Sequence, residues 1–315
     1  MGRVLVTRQL PAGGLAPLAG HDIVAPKPDD VPYSSAEMLA MAGEVDAIVS
    51  LLTDTIDASL LEAGAAGRLQ VVANVAVGYN NIDVAAASRV GIHVTNTPGV
   101  LDETTADTAF LLILAACRLA HDAEADLRAN RWPGWGINQY LGLDVHGATL
   151  GIVGYGRIGR AVARRAAGFS MTVLHHSRRA TGEPGYVADL DELLGRCDIV
   201  SLHTPLNAET THLIDARRLA LMAPHAVLVN TARGPVVDEA ALAEALHSGR
   251  LFAAGIDVFE REPEVHPRLL SAPRAVLLPH IGSGSRATRL RMATIAADNV
   301  AAVLAGKPPL HPVHI

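Results

Sequence analysis

The 315-residue sequence predicts an α/β protein built from two doubly wound parallel sheets. Three observations carry that expectation. Short apolar runs alternate with helical patterns throughout; the runs are continuous in Val, Ile and Leu rather than interleaved with polar residues; and half of all residues are hydrophobic, enough for two cores. A strand apolar at every position is buried on both faces, as when helices cover both sides of a parallel sheet.

The first series of expected strands is RVLVT (3–7), DIVA (22–25), DAIVS (46–50), QVVANV (70–75) and IHVTN (92–96), with helical stretches such as SSAEMLAMAG and NIDVAAASRV between them. The turn residues TPG mark the end of that array near residue 97. A long helical pattern follows, with Asp102 as its expected cap and Ala106, Ala109, Phe110, Ile113, Leu114 and Cys117 as its apolar stripe. The second series is TLGIVG (149–154), MTVLHH (171–176), DIVSLH (198–203), AVLVNTA (226–232), AAGIDV (253–258) and AVLLPH (275–280). A last helix is expected from Ser285 to Gly306, with Pro308 and Pro309 beyond it. No strand follows this helix, so it is expected to return to the first array. The expected domains are therefore 1–97 with 286–315, and 98–285.

Composition excludes several classes of function. A net charge of −6 gives no nucleic-acid footprint, and 3 % aromatics offer little surface for base stacking. The longest apolar run, AFLLILAAC, is too short to cross a bilayer, and the first residues lack the apolar core of a signal peptide, so no membrane association is expected. Two distant cysteines, Cys117 and Cys197, cannot make a disulfide framework and fit a reducing cytoplasm. His175 and His176 are adjacent on a strand and face opposite sides, so they cannot share a metal, and no metal site is expected.

The stretch TLGIVGYGRIGRAVARRAAGF reads as strand, tight turn and helix, the context in which G-x-G-x-x-G indicates a dinucleotide site. Gly154 permits the turn, Gly156 lets the backbone approach a pyrophosphate, and Gly159 lets helix and strand close together. The helix N-terminus then faces the phosphates. About 20 residues on, an Asp or Glu should hold the ribose hydroxyls. Here stand Ser177, Arg178 and Arg179 instead, which would accept a 2′-phosphate. NADP(H) is expected to be preferred, with NAD(H) possible.

Other polar residues cluster at the carboxyl ends of expected strands, the edge where open α/β sheets bind ligands: His203 and Thr204, Thr231 and Arg233, Asp257 with Glu262 beyond it, and His280. A hydride enzyme acting on a 2-oxo acid needs a cation for the carboxylate, a general acid for the carbonyl oxygen and a group that keeps the acid protonated. Arg233, His280 and Glu262 are of those types.

These residues stand in stretches that resemble the D-isomer-specific 2-hydroxyacid dehydrogenases over nearly the whole chain: NVAVGYNNID (74–83), LGIVGYGRIG (150–159), HTPLNAET (203–210), LVNTARGPVVDEAAL (228–242), GIDVFEREP (255–263) and LLPHIGSGSRATR (277–289). VGYNNID, HHSRR and PHIGS look most like the glyoxylate/hydroxypyruvate reductases, which commonly use NADPH. The resemblance implies a Rossmann-type cofactor domain (98–285) inserted into a flavodoxin-like substrate domain. It implies that Arg233 holds the substrate carboxylate, that His280 is the acid and that Glu262 orients it. Val77 and Gly78 would offer backbone N–H groups to the same carboxylate. Cofactor positions map onto Thr105, Tyr155, Gly156, Arg157, Ile158, Ser177, Arg178, Arg179, Thr204, Thr210, Thr231, Asp257 and Gly282. A homodimer is implied through the long helix and the segment after it, where Trp132 or Trp135 is a candidate for entering the partner's site. Gly284-Ser285 departs from the family's frequent Ala-Thr, which bears on pocket detail rather than reaction class. The alternatives are a cofactor-sensing, corepressor-like binding protein, or another family dehydrogenase such as one for D-3-phosphoglycerate.

Overall fold

The computed structural model describes residues 1–313. In chain order the strands are β1 (Arg3–Val6), β2 (Asp22–Val24), β3 (Ala47–Ser50), β4 (Val71–Asn74), β5 (His93–Thr95), β6 (Thr149–Val153), β7 (Thr172–His176), β8 (Ile199–Leu202), β9 (Val227–Asn230), β10 (Ala253–Ile256) and β11 (Ala275–Leu277). The α-helices are α1 (Ser35–Ala42), α2 (Ala58–Ala66), α3 (Val84–Val90), α4 (Asp102–Cys117), α5 (Ala120–Arg128), α6 (Arg157–Ala166), α7 (Leu190–Arg196), α8 (Ala216–Leu219), α9 (Glu239–His247), α10 (Pro267–Leu270) and α11 (Arg286–Leu304). Each expected strand forms, and most are unbroken apolar runs that bury both faces.

The chain folds as two compact units. One comprises Met1–Leu101 with the described residues from Gly284 onward; the other is Asp102–Ser283. The first holds a parallel sheet of order β2-β1-β3-β4-β5, the flavodoxin-like order. Alternate residues feed two cores. Leu5, Ile48, Val72 and Val94 lie with Met38, Leu60 and Leu61 of α1 and α2. Val4, Val6, Ala47, Val49, Val71 and Ala73 lie with Met292, Ala296, Val300 and Val303 of α11. Full burial of each large side chain contributes about 1.5–3 kcal/mol. Local chemistry sets the helix starts: Ser34 and Glu37 form a reciprocal capping box on α1, while Asp57, Asp83 and Ser285 cap α2, α3 and α11.

The second unit holds a parallel sheet of order β11-β10-β9-β8-β6-β7. After β7 the chain crosses back over β6 to place β8, so the strand order reverses between β6 and β8. That is the switch point at which doubly wound sheets open a crevice at their carboxyl ends.

Helix α4 departs from the expectation in two ways. Asp102 is its first residue, not its cap, and burial raises the Asp102 pKa against the opposing charge of Arg157. Leu112 is fully buried while Leu114 is 36 % exposed. The helix lies against α6 as well as β9, β10 and β11, so its buried surface is broader than one stripe. Leu112 fills the space left by Gly255 of β10, where a Cβ would stand 2.7 Å from the Leu112 Cβ. No helix of the described residues is long and apolar enough to cross a membrane.

Candidate active site

The glycine turn lies directly after β6, at the switch point. Gly154 has φ +95°, a conformation that favours glycine, and a Cβ there would stand 2.5 Å from the His203 carbonyl oxygen. A Cβ on Gly159 would stand 2.3 Å from the Gly154 carbonyl oxygen, so the helix closes on the turn only with glycine present. Gly156 is the N-cap of α6; no side chain caps the helix, and the space beside Gly156 is open. An uncapped ten-residue helix with an open approach to its first N–H groups fits a pyrophosphate. Tyr155, Arg157 and Ile158 complete the turn. The Tyr155 ring stacks on His175, with centroids 3.7 Å apart, and the Arg160 guanidinium lies 4.7 Å from the centroid of the Tyr155 ring. His175 is buried and bonded to Thr181, and burial lowers its pKa, so it is a packing residue beside the turn.

Beyond β7, the Ser177 hydroxyl donates to the Arg179 carbonyl at 2.7 Å and thereby shapes the loop. Arg178 is exposed, 3.3 Å from the equally exposed Glu209. An ion pair of that kind contributes about 0–1 kcal/mol and is easily exchanged for a stronger anion.

At the ends of β8 and β9, His203 bridges Ser201 (2.8 Å) and Thr231 (3.5 Å). Burial pushes its pKa down to about 3, so the imidazole is neutral. Thr204 is partly buried beside it. Thr210 is buried and turned inward: its hydroxyl donates to the Pro205 carbonyl and accepts from the Asn207 N–H, ordering the loop that the expectation placed near the cofactor.

Arg233 follows β9, Glu262 follows β10 and His280 follows β11, all at the same edge of one sheet. The Glu262 carboxylate holds the His280 Nδ1 at 2.8 Å with one oxygen and accepts the Phe259 N–H at 3.0 Å with the other. Burial would raise the Glu262 pKa, but the bond and charge of His280, the Phe259 N–H and the charge of Arg233 together lower it. Glu262 is therefore an anion, and an anion only accepts; the His280 proton on that side belongs to Nδ1. His280 itself has φ +54°. It is held there because its N–H reaches the Asp257 carbonyl while the buried Asp257 carboxylate takes the next two N–H groups, of Ile281 (2.7 Å) and Gly282 (2.8 Å). Burial raises the Asp257 pKa despite those bonds. Thr105 of α4 donates to the Gly282 carbonyl at 3.4 Å, so Thr105, Asp257 and Gly282 form one support under His280.

Arg233 is partly buried, and its guanidinium donates to the Ala232 carbonyl at 2.7 Å. Among the described residues no carboxylate lies within 4 Å of it. Burial lowers its pKa, and the charge of Glu262 only partly offsets that. A cation so placed favours an anionic ligand.

In the other unit, the loop after β4 carries Val77 and Gly78. Asn96 and Asn74 donate to their carbonyls at 2.8 and 2.9 Å. Among the described residues neither the Val77 nor the Gly78 N–H reaches a backbone carbonyl. Sequence reasoning misses the two asparagines; the signal available is an amide side chain at each strand end. It finds His203 by position alone, without its bonds to Ser201 and Thr231.

A model of the D-isomer specific 2-hydroxyacid dehydrogenase NAD binding domain matches residues 110–282. Glyoxylate reductases of Thermococcus onnurineus (strain NA1) and Korarchaeum cryptofilum (strain OPF8) are 44 % and 47 % identical, each alignment covering 98 % of this chain and 94 % of the relative. A Thermus thermophilus protein of known crystal structure aligns with TM-score 0.93 at 43 % identity, over 99 % of this chain and 100 % of that one. An NADPH-dependent glyoxylate/hydroxypyruvate reductase of Sinorhizobium meliloti, solved with NADP and malonate, aligns with TM-score 0.85 at 36 % identity, over 99 % of this chain and 96 % of that one. The resemblance read from the motifs is borne out: the chain belongs to the D-isomer-specific 2-hydroxyacid dehydrogenase family and is an NAD(P)-dependent oxidoreductase.

Proposed function

We propose that this enzyme reduces a small 2-oxo acid, glyoxylate or hydroxypyruvate, to the 2-hydroxy acid, of D configuration where C2 is a stereocentre, with NADPH as the reductant. The observation that carries the reading is the 2.8 Å bond between Glu262 and the His280 Nδ1, with the partly buried, carboxylate-free Arg233 close enough to alter the Glu262 titration. When bound, the reduced nicotinamide supplies the hydride that C2 receives. Arg233 binds the substrate carboxylate and draws electron density from the adjacent carbonyl. His280, its Nδ1–H fixed by Glu262, gives the Nε2 proton to the carbonyl oxygen, and takes it back in the reverse direction. Val77 and Gly78, on the loop after β4, are the substrate-binding candidates of the first unit. Gly156, Arg157 and Ile158 hold the pyrophosphate on the α6 N-terminus with Tyr155 beside them; Thr204, Thr231 and the Thr105–Asp257–Gly282 support face the nicotinamide side, and Thr210 acts from within its loop, which it orders.

Ser177, Arg178 and Arg179 select the 2′-phosphate. Each charged hydrogen bond is worth about 1.5–3 kcal/mol, well above the exposed Glu209 pair it displaces. Following absorbance at 340 nm with glyoxylate and hydroxypyruvate, kcat/KM with NADPH is expected to exceed that with NADH by about tenfold or more. The Arg178→Ala, Arg179→Ala double variant should lose most of that ratio and keep its NADH activity. Equal or better use of NADH by the wild type would overturn the cofactor assignment, and no turnover of either acid would overturn the substrate assignment.

We further propose a homodimer formed through the segment after α4. Trp135, Ile137 and Leu141 there are 80 %, 72 % and 64 % exposed, three large apolar side chains close in sequence that a monomer's surface does not need. Sedimentation is expected to give twice the chain mass, and Trp135→Ser with Ile137→Ser to shift the protein to monomer. Cys117 and Cys197 are free and buried, with thiols pushed up to about 12 by burial, which suits the reducing cytoplasm where we place the enzyme.

A further inference from the structure

The segment that begins with Arg233 is locked to the loop that carries Glu262. A Cβ on Gly234 would stand 1.9 Å from the Phe259 carbonyl carbon and 2.4 Å from the Glu260 nitrogen, so the two backbones meet with no room between them. Five residues on, Glu239 opens α9 and is only 6 % exposed. One of its carboxylate oxygens accepts the Glu260 N–H, and the other accepts the His266 N–H at 3.2 Å. Glu260 returns the bond, accepting the Glu239 N–H at 2.9 Å, and its carboxylate also meets His212 at 3.1 Å. Glu239 thus spans the loop on both sides of Glu262, while Glu262 spends its own oxygens on Phe259 and His280. A buried carboxylate is costly unless it is well bonded, and a helix start needs none so deep.

We infer that Glu239 is a positioning residue for the reduction: it clamps the Glu262 loop to the Arg233 segment, so that the partner of the proton donor and the carboxylate-binding cation are set as one piece. The inference rests on the roles proposed above for Arg233, Glu262 and His280. It gives the buried acid a task that capping does not explain, since Asp238 already caps α9.

A double-mutant cycle on the whole enzyme tests it, with Glu239→Gln, Glu262→Gln and the pair measured for kcat, KM, the pH profile of kcat/KM, and cofactor affinity by NADPH fluorescence titration. Glutamine keeps the size of Glu239 but can accept through one oxygen only. Glu239→Gln is expected to lower kcat by about 10- to 100-fold, the scale of a small misplacement in an active site, to alter the pH profile, and to leave cofactor affinity unchanged. Added to Glu262→Gln it should cost less than about threefold more, because residues acting through one another do not add. Wild-type kcat and pH profile in Glu239→Gln, or a full further loss on top of Glu262→Gln, would overturn the inference. Should the Gln variant not fold, Glu239→Asp takes its place, keeping the charge but lacking the reach to both amides. His280→Ala separates the two layers: its inactivity beside an unaffected Glu239→Gln removes only the clamp, whereas wild-type turnover in His280→Ala removes the site reading and the clamp together.

Discussion

His280→Ala is expected to lower kcat by about 10²–10⁴-fold while cofactor affinity stays at the wild-type value. The two quantities separate because different elements supply them. In the proposed site the cofactor is held by the turn after β6 and the α6 N-terminus, whereas His280 stands after β11 and, among the described residues, bonds only Glu262 through its ring. In the proposed roles the ring gives its proton in reduction and takes it back in oxidation, so the alanine variant should lose rate in both directions. Steady-state rates across pH in each direction, with fluorescence titration of NADPH, check this. Wild-type kcat would remove His280 from proton transfer.

Arg233→Met is expected to lower kcat/KM for the 2-oxo acid by about 30- to 5,000-fold, the range of about 2–5 kcal/mol for deleting one member of a buried charge pair. The loss should appear in both KM and kcat, since the guanidinium would bind the carboxylate and polarise the neighbouring carbonyl. The free enzyme should respond in the opposite sense. Burial already depresses the Arg233 pKa, and Ala232 is its hydrogen-bond partner, so methionine keeps the stem and removes a poorly compensated cation. Calorimetry is expected to show a Tm equal to or above the wild type. Unchanged kcat/KM would end the assignment; a large fall in Tm would show that the guanidinium serves the fold instead.

The strands and the switch point were legible in the sequence because the signals are local. An unbroken Val/Ile/Leu run followed by turn residues names a buried strand, and three spaced glycines name a turn that at Gly154 and Gly159 no other residue fits. Arg233, Glu262 and His280 were legible for a related reason: each is a polar residue placed just beyond such a run. What could not be read is what depends on contact across the fold. Leu112 and Leu114 look alike along α4, and only the neighbours on its second side decide which is buried. The φ of +54° at His280 follows from an acid 23 positions earlier. Glu239 has the composition of an ordinary helix start, and its work is done by partners at 260 and 266. Asn74 and Asn96 sit where amides often end strands, and only the paired carbonyls of Gly78 and Val77 show their use.

The first unit is discontinuous in sequence, and this orders its birth on the ribosome. Val4, Val6, Ala47, Val49, Val71 and Ala73 are all synthesised within the first quarter of the chain, yet the side chains of α11 that shield them come last. One greasy sheet face must wait through the translation of the entire second unit, which meanwhile has every residue it requires to finish. Nascent chains stalled before Met292 should therefore be clients of holding chaperones, and those released after α11 should not.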